Sequence, residues 1–176
     1  MRSRILEVQA RSGFVPNVFL ALAHRPDEWR AFFAYHDALM LKTGGHLTKG
    51  DREMIVVATS AANDCLYCVV AHGAILRIYE KKPLVADQVA TNWRKADITP
   101  RQRAMLDFAL KVCLRSGEIG EADYAALREH GLDDEDAWDI IAITAFFGMS
   151  NRMANGIGML PNDEFYLMGR VPKTKG

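Results

Sequence analysis

The sequence has no surplus of either charge: 22 Lys and Arg balance 22 Asp and Glu, for a formal net charge of zero. A nucleic-acid binder shows a basic face or stripe. The only short basic cluster here is the tail Lys173-Thr174-Lys175, so a nucleic-acid partner is not expected. There is also no apolar run near the ~20 residues that a membrane-crossing helix requires. The opening stretch MRSRILEVQARSGF is too polar for the apolar segment of a signal peptide. These absences point away from a membrane and toward the cytoplasm, where thiols stay reduced. Cysteine is scarce, with three in the chain. That number is wrong for a disulfide framework. Linkers rich in Pro, Gly and Ser are missing, as are low-complexity tracts, and 176 residues suit one domain over 1–176. No segment alternates apolar and polar residues with period two, which leaves an all-α fold.

What is present is helical punctuation. Asp27 can cap a helix running through Trp29, Phe32, Phe33, Ala38 and Leu39 to a stop at Gly44-Gly45. Thr48 and Asp51 have capping-box spacing ahead of Ile55, Val56 and Ala58. Asn63 or Asp64 can cap the next helix, from Cys65 to about Tyr79, which ends before Pro83. A short helix is expected over Val85 to Trp93. Thr99, Pro100 and Gln102 form a strong start signal for a helix carrying Met105, Phe108, Ala109 and Val112 to Gly117. Glu121 to His130 reads as another short helix, and Asp133 and Asp136 open a last long one through Ile140, Ile143, Phe146 and Phe147. A faint repeat runs through this pattern. Leu47, Asp51 and Ile55 recur as Leu132, Asp136 and Ile140 at one offset, which places Ser150 and Met153 where the first copy has Cys65 and Cys68.

The chemistry concentrates in NDCLYCVVAH, Asn63 to His72. On a helix, Cys65, Cys68 and His72 fall at i, i+3 and i+7 and share one face. Cys65 in the first turn is expected to gain from free N–H groups and the helix dipole, and to be the better exposed thiol. Cys68 has an imidazole one turn away. Both settings lower a thiol pKa from its usual value of roughly 8.5. Glu53 lies on the preceding helix. If the two helices pair antiparallel, its carboxylate reaches His72 and orients the ring.

Three readings compete for this stretch. A structural zinc site usually takes four protein ligands, and here one Cys pair, one His and at best one Glu are available. A buried helix with small apolar cysteines is the plainest reading. A redox dithiol, able to close into a disulfide across adjacent turns, accounts for all four residues together and leads. A c-type haem is ruled out by Val69 after the second cysteine.

Glu53, Cys65, Cys68 and His72 together resemble the Glu…Cys-x-x-Cys-x-x-x-His signature of AhpD-like alkylhydroperoxidases, in the carboxymuconolactone decarboxylase superfamily. The stretches GFVPNVF, Gly13 to Phe19, and FFGMSNRMAN, Phe146 to Asn155, are similar to its peroxidase-related branch. The resemblance implies an all-α fold, assembly as a dimer, trimer or hexamer, and thiol-dependent reduction of organic hydroperoxides without a cofactor. It implies that one thiolate attacks the peroxide and becomes a sulfenic acid, that the other resolves it as a disulfide, and that Glu53 and His72 relay protons. A dithiol reductant, such as a lipoylated protein, then regenerates the site. Cys68 is favoured as the attacking thiol and Cys65 as the resolving one. Tyr67 departs from the pattern, standing where well-studied members carry a second histidine. The alternative is a redox-sensing or disulfide-exchanging oligomer without turnover, and a decarboxylase or hydrolase activity ranks below both.

The remaining candidates read as structural. His24, His36, His46 and His130 lack spacing to one another or to an acid and are expected at the surface or at helix ends. Cys113 fits a buried small hydrophobe. Asn151, Arg152 and Asn155 are expected to tie helices or subunits together, or to line a pocket. Trp29, Phe32, Phe33 and Tyr35 suit core or interface, and Met149, Met153 and Met159 an adaptable apolar surface.

Overall fold

The computed structural model describes residues 1–170, and every regular element among them is a helix. The tail Lys173 to Lys175 lies outside the described residues. The order is α1 (Arg2–Ser12), α2 (Asn17–Ala21), α3 (Pro26–Met40), α4 (Lys49–Ala62), α5 (Leu66–Glu80), α6 (Val85–Asn92), α7 (Pro100–Arg115), α8 (Glu121–Glu129), α9 (Asp134–Gly156) and α10 (Glu164–Leu167). Short 3-10 turns follow α6 and α7. No helix among the described residues is long and apolar enough to cross a membrane.

The capping boxes at Thr48/Asp51, Thr99/Gln102 and Asp133/Asp136 form as expected, each pairing a side-chain acceptor with the N3 amide. Elsewhere the boundaries shift. Pro26, not a residue after Asp27, opens α3, because its fixed φ suits the first helical position and Arg25 becomes the cap. The helix stops at Met40, before the two glycines, which carry the positive φ of the following turn. The expected Val85 to Trp93 helix ends at Asn92, and Trp93 begins a 3-10 turn.

Helix α4 is the axis of the molecule. Every residue from Gly50 to Ser60 is buried, and α5, α6, α7 and α9 pack around it. Met54, Ile55 and Val56 meet Leu76, Met105, Leu106, Ile140, Ile143 and Phe147 in the main core. Most of its buried polar groups are matched to a partner, Arg52 Nε being left without one. Asp51 accepts from Arg101 and Gln102. Arg52 donates to Asp139 and to the Leu39 carbonyl. Thr59 donates back to the Ile55 carbonyl, and Ser60 accepts from Asn151.

The segments Phe14–Asn17 and Asn162–Met168 close over α5. Phe14 meets Phe165 edge-on at 5.0 Å between centroids. Asn162 accepts from the Asn17 amide at 2.8 Å and donates to the Val15 carbonyl at 3.0 Å. The buried Arg77 of α5 holds the Phe165 and Met168 carbonyls, both at 2.8 Å. These contacts place an apolar wall beside the start of α5.

Candidate active site

Helices α4 and α5 meet in a turn of three residues that also sets the sulfur positions. Asp64 adopts a left-handed φ of 53°, a conformation that Asp tolerates better than most residues. The Cys65 amide then donates to the Ser60 carbonyl at 2.9 Å, closing the end of α4 in the Schellman manner. The same Cys65 is the N-cap of α5, and Cys68 is at its third position. The cap is therefore neither Asn63 nor Asp64, and α5 begins one residue later than expected. Both corrections follow from the left-handed turn, which spends Asn63 and Asp64 on leaving α4.

The pair α4–α5 runs antiparallel. Gly50 near the start of α4 lies against Glu80 at the end of α5, and the two helices join at the other end through Asn63 to Cys65. Midway along, Glu53 and His72 meet: His72 Nδ1 is 2.7 Å from Glu53 Oε2, with side chains 13% and 8% exposed. A Nδ1 proton held by Glu53 leaves Nε2 as the nitrogen free for chemistry. The imidazole stands edge-on to Phe147, 4.7 Å between centroids.

Both thiols are free and 1% exposed. Cys65 is thus not the better exposed of the two. An N-cap is commonly open, but here Phe14, Phe165 and Ala154 belong to the cluster around the sulfurs. The Cys68 thiol lowers the Cys65 pKa to about 6 against the opposing effect of burial. The Cys68 amide, the Asn151 side chain and the charge of His72 add to that lowering. Cys68, as the group giving its proton toward Cys65 and buried besides, is pushed up. The pair therefore shares one proton at neutral pH, as coupled sites do. Thiolate ultraviolet absorbance should rise with a midpoint near pH 6, well below the ordinary ~8.5. In Cys68→Ala the same titration should move up toward or beyond that ordinary value; an unmoved midpoint would mean that Cys68 is not the cause.

A cavity of about 180 Å³ opens beside this pair. Cys68, His72, Ser150, Phe147, His36 and Arg4 are among its walls, whereas Cys65 and Glu53 are not. A larger hollow, about 590 Å³, lies around α7 and α8 between Trp93, Arg103 and Lys111, and no cysteine lines it. The structure thus brings Cys65, Cys68, His72 and Glu53 together, with two of them on the cavity and two behind it.

The other residues singled out in the sequence take varied places, some as expected and some not. Tyr67 is 5% exposed, and its hydroxyl accepts from the Val18 amide at 3.2 Å. Burial raises its pKa further, so it fastens the N-terminal segment to the Cys turn. His36 is not a free surface residue: its Nδ1 is 3.1 Å from Asp37 Oδ1, and its ring packs beside Phe146 and Phe147. His46 also has an acid partner, Asp136 at 2.7 Å. Cys113 is half-buried, with its sulfur 3.7 Å from Asn63 Oδ1. Tyr35 is half exposed, whereas Trp29 and Phe33 are core. Asn151 and Asn155 tie α9 to the Ser60–Asn63 segment, and Arg152 only caps the Gly148 carbonyl. Ser150 and His36 had no sequence signal beyond their residue type, because their distance from the Cys motif along the chain is arbitrary.

Among the described residues, one group of three potential metal ligands gathers: His46, Asp133 and Asp136, within 4.8 Å. Both Asp136 oxygens and Asp133 Oδ1 are engaged in the α9 capping box and with the His46 amide and ring, and Asp133 Oδ2 lies 3.7 Å from His46 Nδ1. This accounts for the cluster as a structural one.

The family model described as carboxymuconolactone decarboxylase matches residues 26–83, which include Glu53, both motif cysteines and His72. A crystal structure from Ralstonia eutropha JMP134, described as alkylhydroperoxidase AhpD core and an uncharacterized peroxidase-related protein, is 83% identical. The match covers 98% of this chain and 90% of that one, with a TM-score of 0.96. An uncharacterized peroxidase-related protein from Silicibacter sp. TM1040 is 43% identical over 96% of this chain and 88% of its own, with a TM-score of 0.92. The debrominase Bmp8 shares the fold at 21% identity, covering 94% and 87%, with a TM-score of 0.73. Among curated proteins, none matches.

Proposed function

The chain belongs to the AhpD-like group of the carboxymuconolactone decarboxylase superfamily, and on that premise we propose that it is a thiol-dependent peroxidase. It reduces organic hydroperoxides through a Cys65/Cys68 dithiol–disulfide cycle with Glu53 and His72 as the proton relay. One observation carries this reading: Cys68 and a Glu53-supported His72 line the same largely apolar cavity, with a low-pKa thiolate at Cys65 directly behind.

The reaction balances on these groups. Cys68 attacks the distal peroxide oxygen as its shared proton passes to Cys65; the S–O bond forms and the O–O bond breaks. The departing alkoxide takes a proton from the His72 imidazolium, which the Glu53 carboxylate stabilises. Cys65 then attacks the Cys68 sulfenic sulfur, the S–S bond forms, and the leaving hydroxide takes the Cys65 proton as water. One peroxide consumes two thiols and yields one alcohol and one water. An external dithiol, small or carried as a lipoyl group on a partner protein, restores both thiols. The protein acts as a homo-oligomer, supported by an apolar groove in which exposed Tyr35 and Met149 stand over buried Leu22 and Phe146, a surface that a second copy would cover.

The test is a thiol count on pre-reduced protein before and after a small excess of cumene hydroperoxide, with peroxide followed in the same sample. Two thiols lost per peroxide, recovered by a dithiol over many cycles, is the expected result. Oxidation that occurs once and does not cycle with any dithiol would favour a redox sensor. Thiols that stay free while the peroxide persists would end the peroxidase reading for that substrate.

A further inference from the structure

Helix α3 carries a second imidazole to the thiol cavity. His36 is one of its walls together with Cys68 and His72, and its side chain is 23% exposed against 13% for His72. The two rings share a support: Phe147 lies 4.7 Å from the His72 centroid and 6.3 Å from that of His36. They also share a wiring pattern. His72 has Glu53 on Nδ1, and His36 has Asp37 on Nδ1. Asp37 is fixed in turn by Arg4 through two bonds of 2.6 and 2.7 Å, and the Arg4 guanidinium packs over the Phe33 ring at 5.0 Å.

This fixing decides what His36 offers. With the Nδ1 proton directed to Asp37, a neutral ring presents Nε2 as a bare acceptor. Burial favours that neutral form, and the charge of His72 adds to it; Asp37 and Glu53 act in the opposite sense. His72 has the better-buried carboxylate, Glu53 at 8% exposed against 32% for Asp37. The cavity thus has one imidazole placed to give a proton and one placed to accept a hydrogen bond, around a single sulfur. Tyr67 also lines the cavity, and its hydroxyl already accepts from the Val18 amide.

We infer that His36 is a substrate-binding residue, whose Nε2 accepts the hydrogen bond of a hydroperoxide O–H and holds the distal oxygen toward Cys68. The inference rests on the peroxidase reading and assigns the hydroperoxide O–H to His36, with the apolar remainder of the substrate against Phe147, Phe19 and Val18. No proton is transferred through His36. The hydrogen on the distal oxygen stays with that oxygen as the sulfenic acid forms, and only the alkoxide is protonated, by His72.

The experiment is single-turnover oxidation by cumene hydroperoxide over a range of concentrations, in wild type, His36→Ala and His36→Gln. Thiolate titration and the rate at which dithiothreitol reduces the Cys65–Cys68 disulfide are measured on the same proteins. His36→Ala should raise the half-saturating peroxide concentration about tenfold, the size of one lost hydrogen bond. The thiolate midpoint and the reduction rate should stay at wild-type values. His36→Gln, which keeps an acceptor, should recover much of the loss. Wild-type oxidation kinetics in His36→Ala would overturn the inference, as would a half-saturation effect accompanied by an equal disturbance of the thiolate titration. A wild-type protein that fails to react at all would instead bring down the peroxidase reading, and this inference with it.

Discussion

Cys68→Ser is expected to lower hydroperoxide consumption by more than about a thousandfold, the scale on which removal of a nucleophile acts. Cys65→Ser should instead stop after one event, leaving one sulfenic acid per chain that a sulfenate-specific probe detects. The structure sets two considerations against each other here. Charge rests on Cys65, whose pKa is lowered to about 6 chiefly by the Cys68 thiol. Access belongs to Cys68, which lines the cavity with His72, whereas Cys65 does not. Access decides, because the proton has only to shift between neighbouring sulfurs, while a substrate cannot pass through the wall. Burial of Cys65 behind Cys68 then suits it to the second step, in which it attacks sulfur and not peroxide. A Cys68→Ser chain that still accumulates one sulfenic acid would reverse the two roles.

Asp139→Ala should destabilise the protein by about 3–5 kcal/mol, the range for breaking a buried ion pair by removing one partner. Arg52 is 1% exposed in the first turn of α4, and its Nη2 lies 2.9 Å from Asp139 Oδ2. Asp139 is 6% exposed at the side chain and also accepts from Lys42 at 2.9 and 3.0 Å. Without the carboxylate, a guanidinium stays in the core with only the Leu39 carbonyl to receive it. The Arg52→Met/Asp139→Leu double variant removes both charges and should recover much of the loss. Asp27→Ala, which breaks an exposed pair with Arg30, should cost less than about 1 kcal/mol. Urea midpoints at one protein concentration make the comparison. Equal shifts for Asp139→Ala and Asp27→Ala would show that the buried pair contributes nothing special.

The parts of this fold that could be read from the sequence are those governed by local rules. Thr48–Asp51, Thr99–Gln102 and Asp133–Asp136 announce helix starts because an acceptor and an N3 partner satisfy backbone groups within one turn. The repeat is also physical: Asp51 and Asp136 occupy the same capping position, and Ile55 and Ile140 are both fully buried. It breaks where α9 runs on through Ser150 while the first copy turns at Asp64. The Glu53–His72 contact was legible because two helices joined by a short turn have little choice of register. Helix α1 was not, because none of its residues is buried and it presents no clear apolar face. Nor were α2 and α10, since such short segments depend on remote contacts such as Asn17 with Asn162 and Phe14 with Phe165. The burial of Cys65 was hidden for the same reason. His36 reaches the cavity from a helix whose distance along the chain from the cysteines carries no code.

The burial of α4 on every side has a consequence for how the molecule opens. Amide hydrogens from Met54 to Ser60 have no exposed face through which to exchange, so they should be lost only when the whole core comes apart. The short end segments that cover α5 can open by fraying, long before that. Glu53 therefore belongs to the last unit to let go, while the sulfurs sit on the boundary between a slow interior and a fast cover. Breathing of the cover can admit solvent to the dithiol without disturbing the carboxylate that orients His72.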